Sequence, residues 1–157
     1  MPESEVRTIG IRVAPKRVTF VVYDTDEAAI VNIEGINVPK AMDTPEQLKF
    51  VRNTILDVIR EYGAKRAGIR VTEGIARNPS IERFELEGVI QEAFASSDLE
   101  GYFCGRIASI AGKLGIPREQ LKLHLDGEVD YEEVENWMRH SREEREAIVT
   151  AIGAAHA

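Results

Sequence analysis

Three runs of strand-forming residues follow one another with no helix between them, over residues 8–13, 18–23 and 29–38, and nothing else in the sequence narrows the fold as much. The first two are rich in Ile, Val, Phe and Tyr, and the turn between them holds Pro15, Lys16 and Arg17. Asp24-Thr25-Asp26-Glu27 makes the second turn. Connections this short can join only antiparallel strands, so the chain opens as a three-stranded meander, with Gly35 weakening its third strand.

A meander needs cover for its apolar face, and the rest of the chain supplies it. Thr44 as N-cap, Pro45 at the first helical position and Gln47 in capping-box spacing open a helix that Gly63 closes. Along it Leu48, Val51, Ile55, Val58, Ile59 and Tyr62 form one apolar stripe. A fourth strand over residues 66–71 contains Ala67, Gly68, Ile69 and Val71. Asn78-Pro79 then opens a helix over 79–95, followed by a short strand over 99–104 and a small-residue helix over 107–114 that ends at Gly115. Residues 117–130 give no periodic signal. Trp137 reads as a core anchor. Ser141 and Glu144 form a capping box for a terminal helix whose Ala147, Ile148, Ala151, Ile152 and Ala155 suit close packing on a sheet. The order β-β-β-α-β-α-β-α, with one further helix, predicts an α/β fold with a mixed five-stranded sheet, all within a single domain spanning 1–157.

Composition removes several function classes. A formal charge of −7 argues against a protein that coats nucleic acid non-specifically, because that binding needs clustered Lys and Arg. The single Cys104 excludes an internal disulfide and a Cys-based zinc site, which favours a reducing compartment and a small buried apolar role for the thiol. No apolar run approaches the ~20 residues of a bilayer span, so a cytoplasmic protein with no membrane partner is expected. His124, His140 and His156 lack ligand spacing and read as surface residues. No glycine-rich phosphate loop follows any strand, and no cofactor is expected from the residues.

Open α/β sheets place ligands at the carboxyl ends of their strands. Arg70, Thr72 and Glu73 lie at that end of the fourth strand, and the loop after them carries Asn78 and Ser80. The element order is that of the ribonuclease H-like fold. Ile9-Gly10-Ile11, followed by a charged residue and a turn, resembles the opening Ile-Gly-Ile-Asp-Pro-Gly of RuvC-type Holliday-junction resolvases. In this chain Arg12-Val13-Ala14 stands in place of Asp-Pro-Gly. Ile69-Arg70, the Asn78 and Ser80 loop and the helical Gly88 are similar to that family's Ile-Glu strand, Asn-Ser loop and following helix. The stretch from Glu146 through Val149 to His156 is similar to its Asp-Ala-x-Asp-Ala-x-Ala helix with a late His.

That resemblance implies two-metal phosphodiester cleavage, in which carboxylates hold the Mg²⁺ pair. It also implies degenerate catalytic positions at Arg12, Arg70 and Val149, with Glu146 alone keeping its carboxylate. Each Arg turns a local charge of −1 into +1 and offers no lone pair to Mg²⁺. Ion pairing with Glu146 and Glu73 is one expected fate of these arginines, and capture of an external anion through Arg12, Arg70, Glu73, Asn78 and Ser80 is another. The function expected is a catalytically degenerate domain acting by binding or assembly, of nucleic acid or another anionic ligand. One alternative is a Mg²⁺- or Mn²⁺-dependent nuclease with relocated carboxylates, Glu73 pairing with Asp24 or Glu146. Another is a protein-binding regulator without nucleic-acid contact. Lys16, Arg17, Arg77 and Arg106 can form a basic rim, with solvated loop charges as the plainer reading. The family pairs through the helix that carries Phe84 and Phe94, so a homodimer is expected, an idea that fails if both rings are buried within one chain.

Overall fold

Alternation along two neighbouring strands decides where the helices lie. In the computed structural model, which describes residues 6–74 and 77–157, β1 (Arg7–Ala14), β2 (Arg17–Asp24) and β3 (Ala29–Asn37) form the antiparallel meander. The strands β4 (Arg66–Arg70) and β5 (Gly101–Gly105) add in parallel on the other side of β1, giving the order β3-β2-β1-β4-β5. Ile9, Ile11 and Val13 of β1, with Ala67 and Ile69 of β4, face one way. They meet the stripe of α1 (Thr44–Tyr62) and the Leu86, Ile90 and Phe94 side of α2 (Ile81–Ala95).

The opposite face carries Gly10 and Gly68 in the same rows, as period two requires. Bare backbone there lets α5 (Arg142–Gly153) lie directly on β1: a Cβ on Gly10 would sit 2.8 Å from Ala151 Cα and collide with the Ala147 carbonyl oxygen. Thr8 fixes the contact by donating its hydroxyl to Ala151 O at 2.6 Å. Around α5 pack α3 (Ile107–Leu114), α4 (Arg118–Leu125) and the buried Trp137, whose indole N–H reaches His124 O at 2.9 Å.

Several local expectations need correction. The cap of α1 is Asp43, whose Oδ1 accepts from Glu46 N, and Thr44 is already helical. Ser80 caps α2, so Asn78-Pro79 lies ahead of the helix and not in it. The fifth strand starts two residues later than its pattern indicates, at Gly101. Residues 118–125, without a clear pattern, form α4 around Leu121 and Leu125. His124 is buried there and not at the surface, its Nδ1 3.1 Å from Val129 O and its ring packed at a tilt against Tyr131. Cys104 is exposed on the outer strand, contrary to a buried role. No described helix is long and apolar enough to cross a membrane.

Candidate functional site

The rows that bring Gly10 and Gly68 under α5 end in Arg12 and Arg70, which are register partners on adjacent parallel strands. Both side chains therefore leave the sheet toward the first turns of α5, where Glu146 is 2% exposed. Arg70 Nε donates to Glu146 Oε1 at 2.7 Å and Arg12 Nε to the same oxygen at 3.3 Å. Arg142, one helical turn before Glu146, reaches Oε2 at 3.4 Å and is tied to Asp126 at the end of α4. One buried carboxylate thus takes three guanidinium groups. Desolvating such charges is tolerable only because each finds an acceptor.

Glu73 is the second acid at the strand ends. Its Oε2 accepts from Arg70 Nη1 at 2.8 Å and from Ile107 N at 3.0 Å, so it caps α3, which has no side-chain cap of its own. Arg118 Nη2 stands 4.0 Å from its other oxygen. Through these bonds and one to Val71 O, Arg70 commits Nε and Nη1 to internal partners. Arg12 commits Nε to Glu146 and Nη1 to Val13 O, and lines a cleft of about 180 Å³ together with Pro15, Thr72, Asn78, Ser80 and Arg83. Glu143 closes one side of that cleft.

Residues not singled out in the sequence complete the site. Glu87, buried in α2, accepts from Thr72 N and from Thr72 Oγ1 at 2.9 Å, and from Arg83 Nε at 2.8 Å. Arg83 Nη2 is buried without a hydrogen-bond partner. Burial pushes the Arg83 guanidinium below its usual pKa, the neighbouring charges of Arg12 and Arg70 add to this, and Glu87 opposes it. Helical spacing of Arg83 and Glu87, four apart on one face, was the available signal.

Other candidates do not join the cluster. Asp24 lies at the opposite end of β1, where it pairs with Arg7 and accepts from Asp26 N and Glu27 N in the turn, so it cannot partner Glu73. Val149 is fully buried in the apolar layer under α5. Arg17 folds across Gly35 and bonds Asn37 at 2.8 Å, and Arg106 packs beside Gly74; Lys16 and Arg77 are exposed. A roomier cavity of about 330 Å³ near Tyr23, Ile33 and His140 lies at the far end of the sheet from the arginines.

Against known proteins the sheet order and the covering helices find close counterparts. The Thermus thermophilus RuvC structure superposes with a TM-score of 0.68 at 11% identity, covering 96% of this chain and 93% of that one. The fold is RuvC-like. T. thermophilus RuvC in complex with Holliday junction substrate gives 0.69 at 12% identity over the same shares. The yeast mitochondrial Holliday junction resolvase gives 0.61 at 14% identity, covering 95% of this chain and 77% of its own. No family model matches the sequence, and no curated protein matches it. A mixed five-stranded ribonuclease H-like sheet with flanking helices is therefore shared at sequence identities low enough that only the architecture is common.

Proposed function

We propose that this chain is a RuvC-like domain that does not run two-metal chemistry and acts by binding or assembly. The observation that carries the reading is the convergence of Arg12, Arg70 and Arg142 on Glu146. A metal pair needs several oxygen donors around a shared space, and guanidinium has none to give. Both carboxylates at the strand ends already serve cations, Glu146 three of them and Glu73 Arg70 with the α3 amide. Among the described residues no group of three or more His, Cys, Asp or Glu is arranged to hold a metal ion. The donor set does not fit Mg²⁺ or Mn²⁺, and Arg12, Arg70 and Val149 stand in this reading as degenerate catalytic positions.

T. thermophilus RuvC has been captured with a Holliday junction, which makes nucleic acid a partner to test for this chain too. Assembly has support of its own. Phe94 is fully buried within the chain, which removes half of the expected pairing surface, but Ile81 is 72% exposed and Phe84 48% exposed one turn apart on α2. An apolar face on an otherwise capped surface helix fits a homodimer.

The test is incubation of the purified protein with branched and linear DNA and RNA in Mg²⁺ or Mn²⁺. The expected result is no cleavage above that of Glu73→Gln and Glu146→Gln controls. Cleavage that either substitution abolishes would overturn the reading in favour of a nuclease with relocated carboxylates.

A further inference from the structure

We propose that the cleft between the β1–β2 turn and residues 78–80 binds a phosphate group on Arg12 and Arg83, and not on Arg12 and Arg70. This rests on the reading of the strand ends as a binding site and specifies its ligand class. Arg70 is less suited, because it does not line the cleft and Glu146, Glu73 and Val71 O occupy its Nε and Nη1. Arg83 is different. Its Nε is paired with Glu87, but its Nη2 is a buried donor without an acceptor, on a residue that lines the cleft. Buried donors left unmade are costly and rare, and a charged donor most of all.

Arg12 lines the same cleft and keeps Nη2 outside its two internal bonds. Two guanidiniums facing one small space favour an oxyanion, which accepts from several N–H groups at once. The amide of Asn78 and the first turn of the fifteen-residue α2 lie beside it, and the positive end of that helix adds to the attraction. At about 180 Å³ the cleft has room for a phosphate group. The carboxylate of Glu143 on its edge works against an anion and sets the strength of binding.

A free phosphate and the backbone phosphate of a nucleic acid share this chemistry, and the experiment separates them. Amide shifts of the ¹⁵N-labelled protein are followed at constant ionic strength on adding inorganic phosphate. A second titration uses a single-stranded oligothymidine of about fifteen nucleotides. Saturable shifts at Thr72, Asn78, Ser80 and Arg83 with either probe support the site, and the probe that acts names the source. Arg83→Gln and Arg12→Gln are expected to weaken binding by about tenfold or more, and Glu143→Gln to tighten it. Arg83→Lys keeps the charge if Arg83→Gln does not fold, and retains part of the affinity. Shifts that saturate elsewhere, or none with both probes, overturn the proposal. Absence of binding with absence of cleavage removes only this site and leaves the non-cutting reading in place.

Discussion

Arg12 and Arg70, side by side on parallel strands, donate to the same oxygen of Glu146. The shared carboxylate, itself buried, offsets the repulsion of two cations set one strand spacing apart. Glu146→Gln is expected to cost about 3–5 kcal/mol of stability, the range for breaking a buried pair from one side. Urea denaturation measures it. A loss under about 1 kcal/mol would place the pairs in the exposed class.

The contact of α5 with β1 predicts opposite results at two glycines. Gly10→Ala forces a Cβ into the Ala147 carbonyl and the Ala151 backbone, neither of which can move without lifting the helix. A loss of more than about 3 kcal/mol is expected from such overpacking against backbone. Gly112 of α3 has nothing within 4 Å of the corresponding point. Gly112→Ala should therefore stabilise by about 0.4–1 kcal/mol through lower unfolded-state entropy. Thermal melts of the two variants check both signs.

If α2 pairs two copies, charge on its bare apolar face prevents it. The variant carrying Ile81→Glu and Phe84→Glu is expected to sediment as a monomer while keeping its circular dichroism, since neither side chain contributes to the core. A wild-type protein that is already monomeric at high concentration would end the homodimer idea.

Alkaline pH tests the far end of the molecule. Burial, then the hydrogen bond to Glu133, pushes the Tyr131 hydroxyl well above its ordinary pKa. In the unfolded chain a tyrosine loses its proton near pH 10, so above about that pH the folded state binds more protons than the unfolded one. Stability from this group is intact below about pH 10 and falls as pH rises beyond it. Tyr131→Phe should flatten that fall in urea titrations taken across the alkaline range. An unchanged slope would show that the hydroxyl already reaches solvent.

The sheet was legible because its strands differ in their connections: tight turns fix the meander, and helices between later strands fix the parallel additions. The meeting of Arg12, Arg70 and Glu146 was implied by the resemblance to RuvC-type resolvases, since the strand-end rule alone reached only Arg70, Thr72 and Glu73. Arg83 and Glu87 escaped notice because α2 carries apolar residues around much of its circumference, Ile81 and Phe84 outside and Leu86 and Ile90 inside, so no polar face stands out. Helix α4 escaped because only Leu121, His124 and Leu125 of its eight residues are buried, too short a run to show a helical period. The displaced cap of α1 has a local cause: Asp43 and Thr44 are both good caps, and proline is accepted within the first turn after either.

The hydroxyl bond from Thr8 to Ala151 spans 143 positions, and every later strand of the sheet passes between its ends. During synthesis the first strand leaves the ribosome long before the helix that seals it. Until that helix emerges, the Gly10 face of the sheet stays open to chaperones and proteases, so premature termination upstream of Arg142 should yield products that the cell clears instead of accumulating.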